Sequence, residues 1–551
     1  VMVMKRFIEN YTGEKFDVAV IGGGISGASV AYEAATRGLK VALLEKNDFS
    51  WATSAVTSKM IHGGLRYLVN GEVGLVRESL RERRVLENIA PNFVYPWPMM
   101  MTHYKKPLKN NKWVVKVGML VYDVLSYDKN ITWDPCKKIP VHRTISARQV
   151  LQDEPHVRAE GLTGASIFYD CTSLFPERLT LAFIKSAVAH GARAANYARV
   201  EGFLMDGAKH VLGVKVKDLF SGKMHNVPAT VTINCGGPWA DIVLGMAKPD
   251  GQVNATLRRS EGIHIITSKK LLTGNYTIGS MTPEGRHFFL IPWRNHALIG
   301  TTDKPFNGNP DDYRVTKESI MELIADVNSS FGDGKLSYAD VKHTYGGLRP
   351  LIEKETSETY SSSRKYEIYD NKDDGLDGLI TVEGGKYTTS RKLAENCLAI
   401  VAKKMGRNLG RSVTDKQYLT GCDIKDLCLF IEEAKRPADG LSGATLEYLA
   451  RNYGTVYRDV VGLAREKKSL SETLNEDGEI MAQVGYAVRD EMAQTLADIV
   501  MRRTGIGTLG NPGDDVLRKV AQVAADELHW DQQRMEKEVE AVVNLLKIPV
   551  D

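Results

Sequence analysis

The chain has 551 residues, 43% hydrophobic and 25% charged, with 72 Lys and Arg against 68 Asp and Glu for a net charge of +4. That length exceeds what a single hydrophobic core supports, so two or three domains are expected, and the composition excludes a chain dominated by disorder or low complexity. So small a charge excludes nucleic acid as an expected partner, because such binders concentrate basic residues on one face or in arginine-rich runs. No apolar run is long enough to cross a bilayer or to read as a signal peptide. The six cysteines (Cys136, Cys171, Cys235, Cys397, Cys422, Cys428) form no C-x-x-C pair and have no histidine at metal-ligand spacing. Reduced thiols in a cytoplasmic protein, and no metal, are the expectation.

The first predicted element is a strand over Phe16 to Ile21, FDVAVI, an apolar run of the kind that is buried in a parallel sheet. Gly22-Gly23-Gly24-Ile25-Ser26-Gly27 follows directly, then a helix with small residues at Ala28, Ala31 and Ala35 that ends at Gly38. A second strand runs from Lys40 to Leu44 and stops on Glu45. In this G-x-G-x-x-G, Gly22 permits the tight turn, Gly24 lets a pyrophosphate approach the main chain, and Gly27 lets helix pack on strand. The helix N-terminus offers N–H groups to phosphates, and Glu45, 18 residues beyond Gly27, stands where a carboxylate accepts from ribose hydroxyls. Strand, loop, helix, strand and acid in this order predict a dinucleotide site without choosing between NAD and FAD.

A hydroxyl-rich loop follows, Ala52-Thr53-Ser54-Ala55-Val56-Thr57-Ser58, and leads into His62-Gly63-Gly64-Leu65-Arg66-Tyr67-Leu68. Paired glycines beside a histidine suit a backbone lying against a flat ring; the plainer alternative is a turn with a structural histidine. From Lys105 to Lys112 the chain is basic, and Trp113 to Leu125 is apolar and aromatic with Lys116 among them. This fits an interfacial helix on a membrane surface, and equally a surface loop entering a core helix. Glu177 to Ala189 reads as a helix, and Gly191 to Val200 leads into a strand whose end would flank an adenine. In Gly384-Gly385-Lys386-Tyr387-Thr388-Thr389, the threonines are placed to cap a helix that carries Leu393, Cys397, Ile400 and Val401 on one face. From Cys422 onward the pattern is helical, with Tyr486 to Arg503 the clearest amphipathic stretch.

The segment from Ala52 to Leu68 closely resembles, in its last twelve residues, the S-S-K-L-I-H-G-G-L-R-Y-L signature of the FAD-dependent glycerol-3-phosphate dehydrogenases. Four further blocks fit that family in order: Asn234 to Trp239, Ile299 to Asp303, Tyr345 to Leu351, and Gly384 to Leu393. The resemblance implies an α/β fold: a discontinuous Rossmann-like FAD-binding domain from 1–105, 170–245 and 346–421, a strand-rich α+β substrate domain from 106–169 and 246–345, and a C-terminal helical domain over 422–551. It implies FAD bound by Gly22, Gly24, Gly27, Glu45, Lys46, Thr53, Ser54, Ser58, His62, Val200, Gly237, Gly385, Lys386 and Thr388. Glycerol 3-phosphate would be held by Arg66, Tyr67, Arg349, Arg364 and Lys386, and oxidised with His62, His264 and Arg349 as the catalytic candidates.

The chemistry agrees with that assignment. A phosphate monoester suits forked guanidinium groups helped by a lysine point charge. Removal of the alcohol proton suits histidine, with His62 and His264 both available, while Arg349 or Lys386 would stabilise the developing alkoxide. Glu261 stands where the family commonly carries lysine, so His264 is expected to be more basic here, and Cys235-Gly236 replaces the more usual Ala-Thr. A quinone is the expected acceptor, with peripheral contact at the inner face of the cell membrane and a homodimer as the possible assembly. Two rivals are an oxidase that uses O2 and makes H2O2, which the resemblance disfavours because streptococcal-type oxidases carry an insertion for which the compact stretch between Gly245 and Tyr345 leaves little room, and a flavin-binding scaffold without catalysis.

Overall fold

A computed structural model describes residues 3–69, 71–106, 111–248, 257–282, 286–332, 335–352, 365–438 and 440–550. Its core is divided between two sheets. The eight-stranded nucleotide sheet runs Tyr366–Asp370, Leu379–Gly384, Met224–Asn234, Phe16–Ile21, Val41–Leu44, Arg193–Ala195, with an antiparallel extension through Val211–Asp218 and Ala198–Met205. Its central pairings are parallel. Buried on both faces, Val18–Ile21 and Val41–Leu44 can be apolar throughout, while Asp17 stands half-buried near the strand's start. The Ile25–Thr36 helix packs between the Pro176–Ala189 and Ser390–Met405 helices, and its fully buried Ala28 and Ala31 allow that close approach.

The second sheet has ten strands. Toward one end of it Leu257–Thr267 pairs antiparallel with His343–Ile352 and with His296–Gly300; His287–Trp293, Thr277–Met281, Tyr95–Tyr104 and Leu162–Thr172 continue it. Tyr95–Tyr104, inside the 1–105 segment, and His343–Ile352, which straddles position 346, therefore hydrogen-bond into this sheet. Strand alternation decides what the Leu257–Thr267 strand presents to each side. Ile263 and Ile265 enter the core beneath the Lys317–Ser330 helix, and His264 faces the other way. Glu261 shares the core side: its Oε1 accepts from Ser319 Oγ at 2.8 Å.

The C-terminal part is helical from Leu427–Ala434 to Gln532–Leu546. The expected amphipathic stretch from Tyr486 to Arg503 is not one helix. Ala482–Arg489 ends, Met492 takes a left-handed φ of 58°, and Thr495 with Asp498 forms a capping box that restarts the chain as Leu496–Asp498 and a π-helical turn, Ile499–Arg503. The break serves the seam with the nucleotide sheet. Arg178 grips Glu491 with two bonds of 3.0 and 2.9 Å, and Lys185 adds a third at 3.2 Å. Asp48 accepts from Arg502 at 2.6 Å and from Arg503 at 2.8 Å through each oxygen. Burial alone would raise both carboxyls, but Arg503 and Arg502 hold Asp48 well below the ordinary range, and Arg178 with Lys185 brings Glu491 down to about 2.

The expectation of reduced thiols throughout is corrected at one place. Cys171, Cys235, Cys397 and Cys422 are free and buried, whereas Cys136 and Cys428 form a disulfide with Cα atoms 6.1 Å apart. Their separation of 292 residues hid the pair from spacing rules. Asp426 lies beside the two sulfurs, but sulfurs spent in a disulfide offer no thiolate to a metal.

The Lys112–Leu125 helix is not a core helix. Only Met119 and Tyr122 are buried, while Trp113, Val117, Leu120 and Val124 are 69, 64, 59 and 64% exposed. No described helix is long and apolar enough to cross a membrane.

Candidate active site

A cavity of about 750 Å³ lies where the two sheets meet. At its nucleotide end the main chain is bare. Gly22 has φ +107°, and a side chain there would collide with the Cys235 carbonyl; Gly27 lies behind, where a Cβ would strike the Gly22 carbonyl. The Ile25–Thr36 helix starts on Gly24, which supplies no side-chain acceptor, and Ser54 Oγ accepts from Ile25 N–H at 2.9 Å. Glu45 lines the cavity and accepts from the N–H groups of Gly23 and Asn47 at 2.7 and 2.8 Å, with burial pushing its carboxyl up. A glycine cradle without a Cβ, a helix N-terminus whose own N-cap residue offers no side chain, and an inward-facing acid together fit the pyrophosphate and ribose of a dinucleotide.

The hydroxyl-rich loop is stitched to the second sheet. Thr53 Oγ1 donates to Leu348 O at 2.6 Å, Tyr345 Oη donates to Thr57 O at 2.6 Å, and Ser58 Oγ meets His264 Nε2 at 2.8 Å. His62, Ser58, Val200, Gly237, Gly385 and Thr388 line the same space. Lys46 does too, held by Asp311 at 2.7 Å and lying over the Trp239 ring at 4.1 Å. Thr389 takes the N-cap position of the Ser390–Met405 helix without capping it through its side chain, contrary to the sequence expectation; a short turn, Tyr387–Thr389, precedes the helix instead.

Three of the predicted phosphate cations converge here. Lys386 Nζ donates to Ser79 Oγ at 2.9 Å and lies 4.7 Å over the Tyr67 ring; Arg66 stacks on that ring and donates to the Tyr67 hydroxyl at 3.2 Å. Arg349 donates to Thr302 O at 3.0 Å and to the Thr301 hydroxyl, with Asp303 at 4.0 Å. Arg364 lies outside the described residues.

Burial, then Lys386 and Arg66, hold His62 well below its ordinary value; burial, then Arg349 and Lys59, do the same for His264. The expectation of a more basic His264 is thus reversed, because the pleat turns Glu261 toward Ser319 and Tyr313 rather than toward the imidazole. Both rings are neutral at pH 7, the form that accepts a proton. His264 Nδ1 is buried without a hydrogen-bond partner, and its ring stacks on Tyr345 at 5.0 Å and 29°.

Several contributors escaped sequence reasoning. Tyr345 lies opposite His264 in the strand register, which only the pairing of the two strands reveals. Beneath Gly63, Asp170 accepts from Tyr122 at 2.7 Å and from Arg83 at 2.5 Å, and Gly63 N–H donates to Tyr122 Oη at 3.0 Å. Arg83 and Tyr122 sit on helices that carry no motif, so nothing in the sequence marked them.

Fold and cavity together define a dinucleotide-dependent oxidoreductase, and the family match makes the dinucleotide FAD. Residues 17–389 match the family described as FAD dependent oxidoreductase, and 412–535 match the C-terminal domain of alpha-glycerophosphate oxidase. A Synechocystis glycerol-3-phosphate dehydrogenase is 34% identical, covering 95% of each chain, and the aerobic glycerol-3-phosphate dehydrogenase of Bacillus subtilis is 31% identical, covering 98% of this chain and 96% of its own. The solved structure of the Bacillus halodurans glycerol-3-phosphate dehydrogenase, complexed with FAD, superposes with a TM-score of 0.79 at 28% identity, covering 99% of this chain and 97% of that one. The chain belongs to the FAD-dependent glycerol-3-phosphate dehydrogenase family.

Proposed function

We propose that the protein oxidises sn-glycerol 3-phosphate to dihydroxyacetone phosphate and passes the electrons to a membrane quinone. The observation that carries the reading is the convergence of Arg66, Arg349, Lys386 and two neutral imidazoles in the cavity that begins at the glycine cradle. Bound FAD supplies the hydride acceptor. Arg66 and Lys386 take the phosphate, whose nearly two negative charges offset the mutual repulsion of those cations. That bound charge also raises the basicity of His62 and His264, so the base gains strength when substrate arrives. One of them takes the hydroxyl proton, and the Arg349 guanidinium stabilises oxyanion character at the reacting carbon. Ser58 orients the His264 ring through Nε2.

The membrane half of the reading is supported by the Lys112–Leu125 helix. Its outward Trp113, Val117, Leu120 and Val124 offer an apolar face, and Lys116 lies 5.5 Å from the Trp113 ring, a composition suited to the headgroup boundary. The FAD segments 1–105, 170–245 and 346–421 are proposed as one nucleotide unit on the strength of the nucleotide sheet, apart from Tyr95–Tyr104 and the included part of His343–Ile352, which pair in the second sheet.

The test is anaerobic addition of glycerol 3-phosphate, then reoxidation by a ubiquinone analogue or by air in parallel. Bleaching with quinone reoxidation much faster than air is expected. Fast air reoxidation with peroxide would mean an oxidase, and no bleaching would sink the substrate. His62→Gln and His264→Gln separate the base from its neighbour: the true base loses bleaching rate with FAD still bound.

A further inference from the structure

Lys59 is a buried cation for which the chemistry above has no use. Its neighbours Ser58 and Met60 line the cavity, while its own side chain, 2% exposed, does not. Its Nζ turns back under the hydroxyl-rich loop, donates to Ala55 O at 3.4 Å and stands 3.5 Å from Glu177 Oε2. Glu177 lies in the first turn of the Pro176–Ala189 helix, where the dipole favours a negative charge. The main chain is fixed as firmly. Lys59 takes a left-handed φ of 56°, uncommon for a lysine, and three bonds hold the turn: Lys59 N–H donates to Thr57 Oγ1 at 3.1 Å, and Lys59 O accepts from Ser173 N–H at 2.8 Å and from Thr172 Oγ1 at 2.9 Å.

All three residues of this turn bear on His264. Ser58 Oγ meets Nε2 at 2.8 Å, and Thr57 O accepts from Tyr345, whose ring stacks on the imidazole. Lys59 Nζ lies 5.3 Å over that same Tyr345 ring and 5.2 Å over the Trp293 ring. The ionisable groups that face His264 are Lys59 from the turn and Arg349 and Tyr345 from the His343–Ile352 strand; behind them stand Glu177 and Arg294 against Lys59, and His343 at 6.5 Å from Tyr345. Glu261, the carboxylate on the strand of His264 itself, is turned toward Ser319. Arg349 lines the cavity and meets whatever enters it, whereas Lys59 does not, so its charge acts on His264 in the empty and the filled site alike.

We propose that Lys59 is a positioning residue for His264: anchored on Glu177, it seats the turn from which Ser58 and Thr57 hold the imidazole and its stacking partner, and it places a fixed positive charge behind the ring. The proposal rests on the reading of His264 as a proton acceptor. A permanent like charge disfavours a second proton on the imidazole, so the ring stays an acceptor at acidities that would otherwise silence it.

The test is the pH dependence of anaerobic bleaching by glycerol 3-phosphate, followed on the FAD-loaded enzyme from about pH 5 to 8. Lys59→Met removes the charge and keeps an unbranched stem. Without that charge His264 holds its proton at higher pH, so the acid limb of the limiting bleaching rate should move upward by at least about half a pH unit, with the apparent affinity for glycerol 3-phosphate changed less than about twofold. Lys59→Arg restores a cation and should bring the limb back toward its wild-type position, a recovery that repaired packing alone would not give. In a His264→Gln background, Lys59→Met should produce no further displacement. If Lys59→Met does not fold, Lys59→Gln is judged by the same outcomes. Should His264→Gln bleach at the wild-type rate, His62 is the base, and the role of Lys59 falls with the reading of His264. Should His264→Gln slow bleaching while Lys59→Met keeps the wild-type limb, or while Lys59→Arg shares the displacement, the part given to Lys59 alone is overturned.

Discussion

The seam to the C-terminal helices collects buried cations and the cavity half-buried ones, and the two satisfy them differently. In the seam, Arg178, Arg502 and Arg503 meet carboxylates through paired, charge-assisted bonds. In the cavity, Lys386 meets a hydroxyl and a ring face, and Arg349 donates chiefly to main-chain and threonine oxygens. A guanidinium saturated by paired carboxylate bonds joins two parts of the chain; Arg349, whose short bonds go to neutral oxygens while the Asp303 carboxylate stands at 4.0 Å, keeps much of its field for an anion that arrives later.

The largest expected effect on catalysis comes from the cavity side. Arg349→Ala should lower kcat/KM for glycerol 3-phosphate at least 100-fold, about 3 kcal/mol of transition-state stabilisation, with the melting temperature nearly unchanged. A variant that melts early but keeps its rate per folded molecule would break the contrast. In the seam the signs should invert. Asp48→Asn leaves two buried guanidiniums short of a charge and should cost about 3–5 kcal/mol in urea unfolding, with the bleaching rate of the folded fraction intact.

Acid sharpens the same contrast. Glu491 is depressed from its ordinary 4.5 to about 2, so its contribution of about 3 kcal/mol is complete above pH 4.5 and drains away as pH falls toward 2. Urea midpoints should decline over that window, and Glu491→Gln should be weaker at neutral pH and lose that part of the decline. Smallest is Cys136→Ser, which removes a cross-link whose ends the seam already helps to fix. A loss of about 2 kcal/mol is expected by calorimetry, with activity unaffected, and the wild type should show two fewer titratable thiols unfolded without reductant than with it.

The nucleotide half of the site was legible because its signals are local. The strand, the glycine cradle, the helix with Ala28 and Ala31, and Glu45 lie within one βαβ unit, where spacing along the chain is spacing in the fold. The cations were legible only through resemblance, since Arg66, Arg349 and Lys386 are far apart in sequence. What failed depended on long-range register. The side taken by Glu261 follows from which face of its strand is covered, Tyr345 reaches His264 only through strand pairing, and the Cys136–Cys428 bridge spans two parts of the chain with no shared pattern. The helix break after Arg489 was hidden for another reason: apolar periodicity on both sides masks it, while Arg178 and Lys185, hundreds of residues earlier, fix where Glu491 must lie.

The order of strands in the nucleotide sheet has a consequence for biosynthesis. Phe16–Ile21 pairs with Met224–Asn234, which pairs in turn with Leu379–Gly384. A nascent chain on the ribosome therefore carries its glycine cradle from the outset yet cannot finish the sheet behind it until residue 384 has emerged. Cofactor loading is consequently a late event, and a translation product that stops before Leu379 has no route to holoenzyme however much flavin the cell supplies.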